Sequence, residues 1–162
     1  LNGDLEYKKI KELYGSGHLM ALNRLSKKQL DFIKELPTKK SFKIQKTKFL
    51  MCHGSPWADN LYIYPDTQKN ILNKCFDSIH DFILIGHTHY QFAKSLRNQT
   101  LISVGSVGQS RQKGGIANWA IVNTSNNSFE LKSTIYDTKS LKKEISQYDP
   151  NNNYLMDVLK RK

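Results

Sequence analysis

The spacing of hydrophobic residues changes along the chain, and these changes predict the order of its elements. Over residues 5–36, apolar residues recur at helical spacing among lysines. This pattern predicts one helix that stops at Gly15 and Gly17, and a second that runs from Ser26 to Pro37. Ser26 opens the second helix with the Ser-x-x-Gln form of a capping box, in which each side chain caps the other residue's backbone N–H.

After Pro37 the hydrophobic period shortens to two, which indicates strands. Two compact, wholly apolar runs among them are typical of strands buried on both faces. The predicted strands are 42–44, 49–52, 82–85, 92–96, 100–104, 117–122 and 129–136, of which the last four resemble a meander. The predicted helices of this part are 67–76, 141–148 and 154–159. The mixture of helices and strands indicates an α/β (α+β) fold.

Length and composition bound the possible classes of protein. The 162 residues fit a single domain, 1–162, and 38% hydrophobic with 10% aromatic residues is enough for a core. No apolar run approaches the roughly 18 residues that a membrane span requires, so no membrane partner is expected. Two cysteines, Cys52 and Cys75, are too few for a disulfide scaffold. They favour a reducing compartment, and we expect a cytoplasmic protein.

The net charge of +11 raises the question of a polyanionic partner. Only 4 of the 25 basic residues are arginine, whereas a phosphate reader built on bidentate contacts is expected to use more. A solvated, lysine-rich surface explains the charge more simply. A basic nucleic-acid-binding domain stays as an alternative, with nucleic acid otherwise expected only as a substrate.

Histidines come just past the end of each of the two buried apolar runs. His53 comes directly after 49–52, and His87 and His89 come just after 82–85. Ligands in open α/β sheets bind beyond the carboxyl ends of strands, so these imidazoles are expected to converge. Three imidazoles suit Zn, Mn, Fe or Ni, although a His-x-His spacing also occurs where both rings simply face solvent. Two other histidines lack comparable neighbours and are given no role: His18 and His80.

Three segments together carry a family resemblance: His-Gly-Ser-Pro at 53–56, Gly-His-Thr-His at 86–89, and Gly-Ser-Val-Gly-Gln-Ser-Arg at 105–111. In order and spacing they resemble the C-terminal part of the calcineurin-like metallophosphoesterase superfamily, in its small prokaryotic phosphodiesterase branch. The sequence departs from that branch at Ser103-Val104, where the branch has Asn-Pro, and at Ser110, where it has proline.

The resemblance implies an αββα sandwich with two divalent metal ions (Mn, Fe, Zn or Ni) and a metal-activated water that hydrolyses a phosphodiester or phosphomonoester. By the same resemblance, His53 and His87 would bind one ion and His89 the other, with Thr88 as a spacer, and these three histidines form the catalytic set. Arg111 is a candidate for binding the substrate phosphate, with an ordinary surface arginine as the alternative. Ser106 and Gln109 are candidates for orienting groups around His89.

The upstream half of the family's site is absent from this sequence. The family's Asp-x-His and Gly-Asp-x-x-Asp motifs, which supply a bridging carboxylate, do not occur here. Leu-Asn-Gly-Asp at 1–4 takes the place of Gly-Asn-His-Asp, which makes Asn2 the remaining metal ligand. We therefore expect the C-terminal portion of a metallophosphoesterase domain, whose partner is the missing N-terminal segment of the same protein. The alternative is a degenerate homologue that serves as a protein-interaction scaffold.

Overall fold

A computed structural model describes residues 2–162, with side chains from residue 8 onward. In chain order the elements are α1 (Asn2–Tyr14), α2 (Gly17–Arg24), α3 (Lys27–Glu35), β1 (Lys39–Ile44), β2 (Thr47–Cys52), α4 (Lys69–Lys74), β3 (Phe82–Ile85), β4 (Phe92–Leu96), β5 (Gln99–Ser103), β6 (Ile116–Asn123), β7 (Ser128–Ile135), α5 (Lys139–Tyr148) and α6 (Asn153–Val158). The mixed α/β class predicted from the sequence is confirmed. The chain forms two compact units, one comprising residues up to Leu36 with Asp137–Arg161, the other centred on Pro37–Tyr136.

The helical unit contains α1, α2, α3, α5 and α6. The predicted capping box is present, because the Gln29 amide donates to Ser26 Oγ (3.3 Å) and the Ser26 amide donates to Gln29 Oε1 (2.8 Å). Gly15 ends α1 in a left-handed conformation with φ of +85°. The prediction that Gly17 also interrupts the helical pattern is wrong, because Gly17 is the first residue of α2.

The sheet unit contains a five-stranded sheet in the order β1-β2-β3-β5-β4 and a two-stranded sheet of β6 and β7. β2, β3 and β5 are parallel to one another, and β1 and β4 are antiparallel at the two edges. The expectation of one meander over the last four strands is wrong. β5 already pairs with β3 and β4 on its two sides, which leaves it no free edge for β6, so the two hairpins lie in different sheets.

The two faces of the central strands are buried against different layers. On one face, Leu50, Ile83 and Leu101 form a core against which Ile71 and Leu72 of α4 pack. The other face packs on the two-stranded sheet, and its central residues are Phe49, Phe82, Ile102 and, from β7, Phe129. Burial on both faces is what the uninterrupted apolar runs predicted. It fixes the positions of the loops that follow β2 and β3.

Among the described residues, no helix combines the length and the apolar character that crossing a bilayer would require.

Candidate metal centre

Parallel pairing of β2 and β3 brings the predicted histidines to one edge of the sheet. Cys52 and Ile85 are register partners at the carboxyl ends of the two strands. One residue further on, the Gly86 amide donates to the His53 carbonyl oxygen at 2.8 Å. This backbone hydrogen bond extends the ladder by one step and holds the loop with His53 beside the loop with His87.

The imidazoles of His53 and His87 are in contact. His87 Nδ1 and His53 Nε2 are 3.0 Å apart, and the ring centroids are 4.8 Å apart. With metal–nitrogen bonds of about 2.0–2.1 Å, two nitrogens of one coordination sphere at angles of 90–110° are about 2.8–3.4 Å from each other. The separation in this pair falls in that range, so the two side chains fit one divalent ion.

The surroundings of His87 favour its neutral form. The pKa of the His87 imidazole lies below its ordinary value, chiefly because burial disfavours the charged ring and also because His53, His89 and Arg111 are nearby. A neutral imidazole keeps the lone pair that metal coordination requires.

The backbone of the 86–89 turn is unusual at both histidines. His87 and His89 have positive φ angles of 58° and 54°, a conformation that few non-glycine residues adopt. Thr88, fully buried between them, donates through Oγ1 to the Ile63 carbonyl oxygen (3.0 Å) and accepts from the Ile63 amide (3.1 Å). The sequence suggested only a spacer at Thr88. Its side chain holds the histidine turn against the loop that contains Ile63, and unusual backbone of this kind is concentrated at functional sites.

His89 lies against the 105–111 segment. Its Nδ1 is 3.1 Å from the Gln109 carbonyl oxygen, and because a carbonyl only accepts, Nδ1 carries a proton and the neutral ring keeps its lone pair on Nε2. The Gln109 amide donates in turn to Ser106 Oγ at 3.0 Å, and the Arg111 amide donates to the His89 carbonyl at 2.9 Å. A backbone carbonyl that fixes the tautomer is a usual partner of a metal-binding histidine.

A cluster of Arg111 with two tyrosines adjoins the histidine pair. Arg111 Nη1 donates to the Tyr64 hydroxyl, and the guanidinium carbon lies 4.9 Å from the centre of the Tyr62 ring. The Tyr62 ring is in turn 4.1 Å from the His87 ring. The sequence singled out Arg111 without placing it, and no sequence signal shows that Tyr62 touches both Arg111 and His87.

The complete ligand set predicted from the sequence is not assembled in the described part of the chain. The Asn2 side chain lies outside the described residues. Within residues 8–162, no group of three His, Cys, Asp or Glu side chains is arranged to hold a metal ion. The described residues therefore bring together one pair of candidate ligands, His53 and His87. His89 lies two residues after His87 in the same turn.

Comparison with known proteins shows the family. The model of the calcineurin-like phosphoesterase superfamily domain matches residues 2–127, most of the chain. A search of curated proteins finds no match.

Two solved structures share the fold. A hypothetical protein from Pyrococcus horikoshii has a TM-score of 0.73 at 18% identity, over 86% of this chain and 56% of its own. A metallophosphoesterase from Sphaerobacter thermophilus has a TM-score of 0.67 at 18% identity, over 92% of this chain and 69% of its own. The chain thus spans little more than half the length of the first structure. Together with the matched family model, the fold and the histidine turns show that this chain belongs to the calcineurin-like phosphoesterase superfamily.

Proposed function

We propose that this chain supplies the histidine half of a divalent-metal site that hydrolyses phosphate esters, either diesters or monoesters. The observation that carries the proposal is the 3.0 Å contact between His53 Nε2 and His87 Nδ1 at the carboxyl ends of two parallel strands. Family membership supports a phosphoesterase activity in general.

In this proposal His53 and His87 hold one ion and His89 Nε2 contributes to a second, with Asn2 as a further ligand. A bound divalent ion supplies Lewis-acid chemistry and lowers the pKa of its water. The protein's own part is to favour the neutral form of His87 and to orient His89, whose Nδ1 donates to the Gln109 carbonyl oxygen. The missing carboxylates would come from the N-terminal segment expected from the family pattern.

Arg111 is proposed to bind a phosphoryl oxygen of the substrate. Its guanidinium is oriented by the Tyr64 hydroxyl and lies over the Tyr62 ring, close enough to His87 to affect that residue's pKa. The described contacts of this guanidinium are with tyrosine side chains and not with a carboxylate. Its positive charge is therefore available to pair with an anion. Arg111→Lys would keep a charge but lose the planar, bidentate geometry.

Metal binding by the chain tests the proposal without requiring activity. Calorimetric titration with Zn²⁺ and with Mn²⁺ is expected to show a site that His53→Ala and His87→Ala each weaken at least tenfold. The matched control is His18→Ala, which removes a histidine of α2 and is expected to leave the affinity unchanged. Equal affinity in all four proteins would overturn the proposed ligand pair.

Hydrolysis of bis(p-nitrophenyl) phosphate and p-nitrophenyl phosphate, with Mn²⁺ titrated in, tests the activity. The chain is assayed alone and joined to an N-terminal segment that carries the Asp-x-His and Gly-Asp-x-x-Asp motifs. Turnover that appears with the longer protein and is lost in His87→Ala supports the phosphoesterase. Metal binding without turnover in the longer protein would reject hydrolysis and favour the scaffold alternative.

A further inference from the structure

A second cluster of reactive side chains lies at the opposite end of β3. Asp77 and His80 precede the strand, and Ser41 projects from β1 beside them. Ser41 Oγ is 2.7 Å from His80 Nε2, and His80 Nδ1 is 2.7 Å from Asp77 Oδ2. Sequence analysis assigned His80 no role, because its partners are 3 and 39 residues away and follow no spacing rule.

The hydrogen bonds fix the direction of each proton in this chain of groups. Asp77 Oδ1 accepts from the amides of Ile79 (2.8 Å) and His80 (2.9 Å), which leaves Oδ2 for the ring. Burial by itself would raise the pKa of Asp77, but the hydrogen bonds from the His80 amide, the His80 ring and the Ile79 amide together lower it. An ionised carboxylate only accepts, so His80 Nδ1 carries a proton, and in the neutral ring Nε2 then accepts from the Ser41 hydroxyl.

The imidazole of His80 is buried, whereas the hydroxyl of Ser41 is accessible. His80 is 8% exposed, and the Gln99 side-chain amide donates to its carbonyl oxygen, which holds its backbone in place. Ser41 is exposed on β1, an edge strand of the five-stranded sheet. Serine, imidazole and carboxylate in this order, with the base oriented by a third group, form the arrangement that activates a hydroxyl for attack on a carbonyl.

Two lysines lie on the same part of the sheet. Lys43 is two residues from Ser41 along β1 and therefore on the same face, and its register partner across the strand pair is Lys48. Both are exposed. Positive charge on this face favours the oxyanion that forms when a hydroxyl adds to an ester carbonyl.

We propose that Ser41 is a nucleophile, with His80 as its general base and Asp77 as the positioning residue, in a site that hydrolyses small carboxylic esters. Ser41 Oγ forms a bond to the carbonyl carbon while its proton passes to His80 Nε2. The C–O bond to the leaving alcohol breaks, and the alcohol takes that proton. Water then adds to the acyl carbon and gives a proton to His80, and the acid leaves as Ser41 recovers its hydrogen.

This site is separate from the histidine pair of the phosphoesterase proposal. His80 lies before β3 and His87 lies after it, and the four residues of the strand span about 13 Å. The two proposals therefore stand or fall independently, and His87→Ala is expected to leave the chemistry of Ser41 unchanged.

Labelling with an alkyl fluorophosphonate, located by peptide mass spectrometry, tests the nucleophile. The serine oxygen forms a bond to phosphorus, fluoride leaves and the hydroxyl proton passes through His80 to solvent. Ser95 is the internal control, because it is an exposed strand serine whose described partner is Thr100 Oγ1 rather than an imidazole. General-base assistance is worth about 100-fold or more, so Ser41 is expected to react about 100 times faster than Ser95. Equal labelling rates for Ser41 and Ser95 in the parent protein would overturn the proposal.

Variants then separate chemistry from structure. His80→Gln is expected to reduce labelling of Ser41 to the rate of Ser95, and Ser41→Ala to abolish the hydrolysis of p-nitrophenyl acetate above the rate of free imidazole. Asp77→Asn keeps an acceptor for the two amides but reverses the tautomer of His80. It is expected to slow labelling and to remove the far-downfield proton resonance of His80 Nδ1–H. Unchanged labelling in a folded His80→Gln variant would contradict the proposed base.

Discussion

The turn after His53 requires glycine for a steric reason. A Cβ on Gly54 would lie 2.4 Å from the Asp59 carbonyl oxygen and 2.7 Å from that of Ala58, and both obstacles are backbone atoms. Gly54→Ala is therefore expected to destabilise the protein by about 1–3 kcal/mol, the usual range for overpacking. Urea unfolding followed by circular dichroism measures the change.

The matched control for this substitution is Gly108→Ala. A Cβ on Gly108 would meet no atom within 4 Å, so that variant is expected to unfold at the same urea concentration as the parent. Equal stability of the two variants would show that the backbone around Gly54 is free to move. The position of His53 would then not be fixed by this turn.

Asp77 gives a pH dependence at the scale of one residue. Its pKa is below the ordinary value in the folded protein, since hydrogen bonds from His80 and Ile79 outweigh the effect of burial. A carboxyl with a lowered folded-state pKa stabilises the fold above its unfolded pKa of about 3.9, and this stabilisation is lost as the pH falls through the folded value. The melting temperature of Asp77→Asn is expected to lie below that of the parent at pH 6.

The same comparison at pH 3 supplies the check. The difference in melting temperature between the parent and Asp77→Asn is expected to shrink, because the parent carboxyl is then partly protonated. The side chain is 36% exposed, so solvent screening keeps the effect small. A difference that grows on acidification would contradict the sign of the pKa shift.

At the scale of elements, Thr88 connects two loops that no strand pairing joins. Its Oγ1 satisfies both the amide and the carbonyl of Ile63 in a fully buried position. Thr88→Val has nearly the same shape but leaves both backbone groups without this partner. Each buried unsatisfied group costs about 1–3 kcal/mol, so the loss of both is expected to cost about 2–6 kcal/mol in chemical unfolding.

Thr88→Ser is the control for that prediction, because it keeps the hydroxyl and removes one methyl group. It is expected to lose clearly less stability than Thr88→Val. If the two variants are equally destabilised, the methyl group rather than the hydrogen bonds holds the loop that contains Ile63. The positive φ angles at His87 and His89 would then need another explanation.

The elements also show which parts of the structure the sequence predicts and which it does not. The strands 82–85 and 92–96 are found with the predicted bounds, because each is a short apolar or alternating run between turn residues. Helix α2 was missed, since a glycine pattern does not distinguish the end of one helix from the start of the next. The histidine pair was predictable from strand ends and parallel pairing. The contacts of Tyr62 and the group of Ser41, Asp77 and His80 were not, because they join residues from different loops and strands.

At the scale of the whole molecule, strand β3 connects the two candidate sites. It is buried on both faces, between the layer of α4 and the two-stranded sheet. His80 lies just before the strand begins, and His87 lies just after it ends. Substitutions that unfold β3 are expected to disable both sites at once. Substitutions at one end of β3 are expected to disable only the candidate site at that end. Single-site variants therefore need a stability measurement beside each activity measurement.

The two cysteines report on the opening of the sheet unit as a whole. Cys52 and Cys75 are free thiols that are 6% and 1% exposed, and burial raises the pKa of each to about 11. At pH 8 a thiol with that pKa is roughly one-thousandth ionised, whereas an ordinary thiol is about one-quarter ionised. Alkylation in the native state is therefore expected to be at least about 200 times slower than in urea.

Iodoacetamide labelling at pH 8, followed by mass spectrometry of the intact chain, measures this difference. Because both thiols belong to the core on the α4 face, they are expected to become reactive at the same urea concentration as the loss of the β-sheet signal in circular dichroism. Labelling of Cys75 well before that transition would show that α4 opens separately from the sheet. In that case the core between α4 and the central strands would be a local unit of stability rather than part of one cooperative fold.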